Sequence, residues 1–280
     1  MPATLLHLAI RTADADAGLA NLSTCTAEVK RWYLPNGLQL NASKSEVILS
    51  GTSYQLNKAS IVTVPVAGSS LPISEEMKTL GVTIDSHLTF RKHVSAVIKS
   101  CNYHAQAIRH IRHLLSQDIA HTLARSLILS KLDYCNSVLY GAQLETLAKL
   151  QRVQNFAACI VTNSGRRSDP VPLLQTLHWL PIRHRITYKL ALVTYKVRLS
   201  SIPHYLNNLL SVRTVSRALR SSSAPLLHVP FSCTVFASRA FRVAAPTVWN
   251  SLPLTVQTAP SVNVFKSRLK TFLFNLAFNL

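Results

Sequence analysis

The spacing of apolar residues changes at Phe90, and this change constrains the fold more than any other feature of the chain. At roughly 100° per residue, several apolar side chains fall within about 60° of Val94. They are Val97, Ile98, Cys101, Ala105, Ile108 and Leu115. An apolar stripe of this width is typical of a helix that packs against other helices. Further helical patterns over residues 116–131, 143–161, 172–180 and 181–199 predict a helical bundle over residues 86–200.

The segments on either side of this bundle favour mixed structure. Asp14 and Asp16 precede a helical pattern that should stop at Pro35-Asn36-Gly37. Short apolar runs predict strands at residues 4–10, 38–41, 46–50, 61–66 and 79–84. After residue 200, we expect a linker at 213–223, short strands at 226–229 and 233–236, and a helix at 265–274. The expected fold is α+β and predominantly α-helical, in three segments: residues 1–85, 86–200 and 201–280.

The charge of the chain is large and unevenly distributed. The net charge is +19, and residues 170–280 contain thirteen lysines and arginines but no acid, because Asp169 is the last one. Internal ion pairs cannot neutralise such a segment, so its positive field must be met by solvent ions or by a polyanion. RNA or DNA is the favoured partner. A basic fragment that has drifted without selection and a membrane-surface role are the alternatives.

Two rows of residues are the candidate nucleic-acid contacts. On the polar side of the first helix, Tyr103 can pack on a sugar or base beside cations that follow a phosphate backbone. That row is Lys92, Lys99, Tyr103 and His110. The second row lies in the acid-free segment and comprises Arg183, Arg185, Lys189 and Lys196. An ordinary solvated helix face is the alternative for the first row, and Trp179 and Trp249 are expected in the core because their neighbours are apolar.

Cysteine and histidine usage indicates an intracellular chain, nuclear or cytoplasmic, rather than a secreted one. The five cysteines are odd in number, widely spaced and without a CxxC pair, as expected of reduced thiols. Cys101, His104, His110 and His113 are of metal-ligating types, but a helix points them in opposing directions, so no metal site is predicted. No apolar run approaches the roughly 20 residues that span a bilayer, so no membrane partner is expected.

A series of short motifs carries a family resemblance. The first two are Asn36-Gly-Leu-Gln-Leu-Asn-Ala-Ser-Lys-Ser-Glu46 and Leu80-Gly-Val-Thr-Ile-Asp85. The series continues with Lys131-Leu-Asp-Tyr-Cys-Asn136, Leu150-Gln-Arg-Val-Gln-Asn155, Leu177-His-Trp-Leu-Pro-Ile-Arg183, Arg239-Ala-Phe241, Ala245-Pro246, Trp249-Asn-Ser-Leu-Pro253 and Phe265-Lys-Ser-Arg-Leu-Lys-Thr-Phe272. In this order, the chain resembles the C-terminal part of a reverse transcriptase from a LINE-type non-LTR retrotransposon.

The resemblance implies a role for each segment. Residues 1–85 correspond to the rear of the palm, residues 86–200 to the helical thumb and residues 201–280 to the basic C-terminal region of an RNA-directed DNA polymerase. Lys44 lies in the motif that places a lysine near the departing pyrophosphate, where an ammonium can neutralise or protonate the leaving group. Gly81, Val82 and Asp85 match the primer-grip hairpin. From the residues alone, an exposed turn lysine and a strand followed by a turn are the alternatives.

The family binds its catalytic metal through an Asp-Asp pair that lies just before a segment such as Thr4-Leu-Leu-His-Leu-Ala-Ile10. Met1-Pro2-Ala3 stands in that place here. We therefore expect a fragment that binds nucleic acid, is catalytically incompetent alone and needs no cofactor, although the complete family enzyme uses Mg²⁺. The alternatives are one part of an active polymerase, a domesticated interaction protein without catalysis, and a relic without partners.

Overall fold

Helices dominate the computed structural model, which describes residues 6–10, 14–41, 44–59, 61–213 and 226–279. The strands form only small sheets, which confirms the predicted α+β, predominantly α-helical class. The chain divides into two compact units, Met1–His93 and Val94–Leu280, called here the first and the second unit.

The first unit combines one long helix with two small sheets. Its helices are α1 (Ala15–Tyr33) and α2 (Ser53–Lys58), and α3 (Arg91–His110) begins at its end. Its strands are β1 (Val47–Ile48), β2 (Thr63–Val66), β3 (Ser69–Ser74), β4 (Glu76–Thr79) and β5 (Val82–Asp85). β3 pairs in parallel with β1 and antiparallel with β2, and β4 and β5 form a hairpin. α1 packs beside β2, where the Thr26 hydroxyl accepts a 3.1 Å hydrogen bond from the Ala67 N–H.

Turn residues set the boundaries of this unit. The predicted stop after α1 is confirmed, because residues 34–36 tighten into a 3₁₀ turn and Gly37 has a φ of +68°. The predicted strand over residues 79–84 is confirmed in part, since Thr79 ends β4 and residues 82–84 belong to β5. Leu80 and Gly81 interrupt it, because they adopt φ angles of +47° and +80° and form the turn between the two strands. Two consecutive positive φ angles match the type I′ turn that two-residue hairpins favour.

The remaining strand predictions had mixed outcomes. β1 and β2 lie within the predicted runs 46–50 and 61–66, whereas residues 6–10 and 38–41 form no regular strand. Residues 4 and 5 of the first predicted run lie outside the described residues. The sequence predicted neither β3 nor α2. The Ser-Ser-Leu-Pro-Ile-Ser sequence of β3 is half polar, and this strand pairs through its backbone.

The second unit is built from helices. After α3 come α4 (Gln117–Ala124), a π-helical turn (Arg125–Leu129), α5 (Ser130–Asp133), α6 (Leu144–Val161), α7 (Pro170–Thr176) and α8 (Ile182–Ser200). These bounds agree with the predicted helices to within a few residues. They are followed by α9 (His204–Asn207), α10 (Val235–Ser238), α11 (Phe241–Asn250), α12 (Leu254–Gln257) and α13 (Val262–Phe278).

The core of the second unit surrounds α8, which packs against α11 and α13. The rings of Tyr195 and Phe265 stack at 4.1 Å between centroids, and Trp249 stacks on Phe265 at 6.1 Å. The Tyr195 hydroxyl donates a 2.7 Å hydrogen bond to the Ala259 carbonyl, so this buried polar group is satisfied. The prediction that Trp179 and Trp249 belong to the core is confirmed, since both are buried.

Residues after 200 pack into this same core, whereas the sequence pattern suggested a separate region. The Asn250 side chain bonds both the N–H and the carbonyl of Leu227, at 2.9 and 2.8 Å. The predicted strand 226–229 is reduced to a bridge between Val212 and Leu227. The predicted strand 233–236 is wrong, because Thr234 accepts a hydrogen bond from the Ala237 N–H and caps α10. The predicted linker falls, except for Arg213, outside the described residues.

We expect Phe265→Ala to destabilise the protein by about 3–5 kcal/mol, because a fully buried aromatic side chain would leave a cavity. Phe231→Ala is the matched control, since Phe231 is 90% exposed, and its effect should stay within about 0.5 kcal/mol. Chemical denaturation followed by circular dichroism measures both. Equal losses in the two variants would contradict the assigned core.

Candidate nucleic-acid interface

Nearly all of the net charge resides in the second unit. Residues 94–280 contain 22 lysines and arginines and four acids, a net charge of +18. Residues 1–93 contain eight lysines and arginines and seven acids, a net charge of +1. The second unit therefore carries nearly all of the positive field of the chain.

Three of the four acids of the second unit have a structural partner. Asp133 pairs with Arg185 at 2.5 Å, and Glu145 pairs with Lys149 at 2.7 Å. The Asp169 carboxylate accepts a 3.0 Å hydrogen bond from the Val171 N–H and caps α7. The fourth, Asp118, is exposed in the first turn of α4. These carboxylates leave most of the surrounding cations to solvent or to a ligand.

The row predicted on α8 divides into exposed and structural cations. Lys189 and Lys196 are exposed and seven residues apart, so they lie on one face of the helix. Arg183 is exposed in the first turn of the helix. The pKa of its neighbour His184 is lowered, first by the burial of His184 itself and second by the charge of Arg183. Arg185 instead pairs with Asp133 and donates a 2.9 Å hydrogen bond to the Leu180 carbonyl, so it holds the fold together.

The row predicted on α3 also divides. Lys99, Tyr103 and His110 are exposed, and the Tyr103 side chain is 73% exposed. Lys92 belongs to the first unit, where its ammonium lies 2.8 Å from the Glu76 carboxylate. The hydrogen bond and the charge of Glu76 raise the pKa of Lys92. Contact between Lys92 and a phosphate would therefore compete with an existing ion pair.

The structure adds two cations that the sequence did not single out. The Arg109 guanidinium carbon lies 5.9 Å from the centroid of the Phe156 ring, and that of Arg166 lies 5.5 Å from the same centroid. Arg109 also lines an open groove of about 500 Å³ with Gln106 and His110. The doublet Arg166-Arg167 in a turn was the only sequence signal, since proximity to Phe156 arises from tertiary packing.

Arg112 fixes the geometry next to this groove. It donates hydrogen bonds to the carbonyls of Ile160 and Val161 in the last turn of α6, at 2.8 and 3.0 Å, and to the Leu115 carbonyl at 2.7 Å. The helix predicted over residues 143–161 is confirmed as α6, and a left-handed residue ends it. Asn163 has a φ of +55°, and the N–H of Ser164 bonds back to the Cys159 carbonyl at 2.9 Å, as in a Schellman motif.

The residues selected by family resemblance occupy different surroundings in the first unit. Lys44 is exposed, and Gly81 lies in the exposed turn between β4 and β5. Val82 is buried. The Asp85 carboxylate accepts hydrogen bonds from the N–H groups of Thr89 and Phe90, at 2.8 and 2.7 Å, so it orders the segment before α3.

Among the residues that the structure describes, no three His, Cys, Asp or Glu side chains group so as to hold a metal ion. Cys101 is fully buried, and burial raises the pKa of its thiol to about 11. None of the helices described combines the length and apolar character needed to span a bilayer.

No family model matches the chain, and comparison with curated proteins and with solved structures found no match either. Functional inference therefore depends on the charges, contacts and exposure of the residues described above, together with the motif resemblance.

We expect Arg185→Ala to lower the free energy of unfolding by about 1–2 kcal/mol, because the Leu180 carbonyl and Asp133 would lose a charged donor. Lys189→Ala, on the same helix, is the control and should be nearly neutral, since its side chain is exposed. Denaturant titrations of both variants provide the comparison. If Arg185→Ala leaves the free energy of unfolding unchanged, Arg185 is not a structural residue and becomes a candidate ligand contact again.

Proposed function

We propose that this chain is the rear palm, thumb and C-terminal part of a LINE-type reverse transcriptase, and that its second unit binds RNA or DNA. The observation that carries the binding proposal is the net charge of +18 on residues 94–280, of whose four acids three have structural partners. A nucleic acid supplies the missing negative charge, and release of its counterions drives the association.

The exposed pair on α8 has a spacing that suits a phosphate backbone. Seven residues separate Lys189 from Lys196, which corresponds to roughly 10 Å along the helix axis. One strand of a duplex rises about 3.4 Å per phosphate, so two such cations bracket about three nucleotides. Lysine suits this contact because its ammonium is a mobile point charge that does not require a fixed phosphate orientation.

The polymerase assignment is supported by the ordered motifs across nearly the whole chain. The motif Leu80-Gly-Val-Thr-Ile-Asp85 occupies a hairpin turn and its second strand, and the segment likened to a thumb is helical. Nucleotidyl transfer requires carboxylates that hold two divalent cations. The eleven acids of the sequence include no adjacent pair of aspartates. The proposed activity of these 280 residues by themselves is therefore binding without polymerisation.

Replacing Lys189 and Lys196 together by glutamine should weaken nucleic-acid binding and its dependence on salt. Two lost phosphate contacts predict a slope of log K against log salt that is smaller by roughly 1.8 for duplex DNA. Lys58→Gln with Lys78→Gln removes the same charge from exposed positions of the first unit and should leave the slope unchanged. Filter binding over a salt series measures both.

Two results would contradict the proposed contacts. If both double variants reduce the slope equally, general net charge rather than the α8 row governs binding. If neither variant changes the slope, these lysines contact no phosphate, and a protein partner becomes the better explanation of the second unit.

The purified chain should not extend a primer annealed to an RNA or DNA template with Mg²⁺ or Mn²⁺. A Lys44→Ala variant, purified in the same way, distinguishes the chain from a contaminating polymerase. Extension that persists through purification and disappears in Lys44→Ala would overturn the proposal that these residues alone cannot polymerise. Extension that is equal in both preparations identifies a contaminant.

A further inference from the structure

Two arginines from separate elements of the second unit each contact the same aromatic ring, beside an open groove on α3. We propose that the C-terminal half of α3 and the turn after α6 form a platform for single-stranded nucleic acid, with Arg109 and Arg166 on its phosphates and Tyr103 stacked on an unpaired base. The proposal deepens the nucleic-acid binding proposed above and rests on it.

The position of the two cations is the first argument. Their guanidinium carbons lie 5.9 and 5.5 Å from the Phe156 centroid, so the two charges are at most about 11 Å apart. Each contact is favourable, because the negative face of the ring attracts the cation. A guanidinium held by its contact with a ring keeps N–H groups that can form paired hydrogen bonds to a phosphate.

The lack of a local counter-ion is the second argument. Over residues 94–213 and 226–279, the ion pairs are Lys149–Glu145 and Arg185–Asp133, and neither includes Arg109 or Arg166. The acid closest in sequence to Arg166 is Asp169, whose carboxylate caps α7. Because like charges repel, two cations around one ring favour an anion that both can contact.

The groove and its aromatic neighbour indicate which anion. Gln106, Arg109 and His110 line the groove of about 500 Å³, and Tyr103 lies one helical turn before Gln106. The Tyr103 ring is 73% exposed and touches the His104 ring edge-on, at 5.4 Å between centroids. An exposed ring beside a cationic groove can stack on a base, and only an unpaired base offers its face.

Arg112 holds the platform together in the absence of a ligand. Two of its three hydrogen bonds join the segment after α3 to the last turn of α6, and the turn that carries Arg166 follows directly. The Ser168 N–H donates a 3.0 Å hydrogen bond to the Gly165 carbonyl and closes that turn. The binding groups therefore need little reorganisation, which lowers the entropic cost of binding.

The test compares labelled oligo-dT with a duplex of mixed sequence, by fluorescence anisotropy of the full chain over a salt series. Arg109→Gln with Arg166→Gln should reduce the salt slope for oligo-dT by roughly 1.4. Arg125→Gln with Arg242→Gln removes two other exposed cations of the second unit and should leave the slope as in the unsubstituted chain. Thermal unfolding of each variant verifies that it is folded.

Tyr103 separates stacking from charge. Tyr103→Ala should weaken oligo-dT binding roughly tenfold without changing the salt slope or duplex binding, and Tyr103→Phe should bind like the unsubstituted chain. The platform is wrong if the arginine double variant keeps the full slope, if Tyr103→Ala weakens duplex binding equally, or if polyglutamate displaces oligo-dT as well as unlabelled oligo-dT does.

The two proposals fail in different ways. If the unsubstituted chain binds neither oligonucleotide with a salt-dependent affinity, the proposed function itself is wrong and the platform falls with it. If the unsubstituted chain binds but the platform variants bind identically to it, nucleic-acid binding stands and only this platform is overturned.

Discussion

Burial of apolar surface around α8 is the interaction on which the second unit depends, because this unit must fold against its own charge. With 22 cations and four acids, residues 94–280 repel themselves at low ionic strength. The stacked rings of Tyr195, Trp249 and Phe265 and the helices α11 and α13 around them supply the opposing free energy. α8 meets α11, α12 and α13 in this one core, so the segments before and after residue 200 stabilise each other.

Because the second unit has few carboxylates, several of its arginines bond to backbone carbonyls or contact an aromatic ring instead. Arg112 bonds three backbone carbonyls, Arg239 bonds the Tyr140 carbonyl at 3.2 Å and Arg268 bonds the Thr255 carbonyl at 2.7 Å. The guanidinium of Arg198 lies 4.5 Å from the centroid of the Trp249 ring, and burial lowers its pKa. A planar guanidinium presents five donors in a fixed fork and stacks on aromatic rings, which suits it to several carbonyl or aromatic partners at once. The lysines of the unit are mostly left at the surface, where a polyanion can reach them.

Periodicity predicted the long helices well, because α3, α6, α8 and α13 each bury one continuous apolar stripe. It failed at short elements such as β3 and α10, whose boundaries depend on pairing or on a single capping side chain. The same limit applies to the candidate interface. The sequence singled out Tyr103 on the polar side of α3, and Lys189 and Lys196 in the acid-free segment. It could not separate Arg185 from these lysines, because the partner Asp133 is 52 residues away. The sequence did not single out Arg109 and Arg166, because only the folded chain brings both of them to the Phe156 ring.

The hydrogen bonds that Arg112 donates have a practical consequence for purifying the protein. Its partners are peptide carbonyls, which do not ionise, and a guanidinium keeps its proton at any pH at which the chain survives. Dissolved ions also screen hydrogen bonds of this kind far less than they screen exposed charge pairs. Concentrated electrolyte should therefore displace any polyanion held by the surface charges, while the contacts of Arg112 stay formed. Washing at high ionic strength is thus a gentle route to ligand-free material.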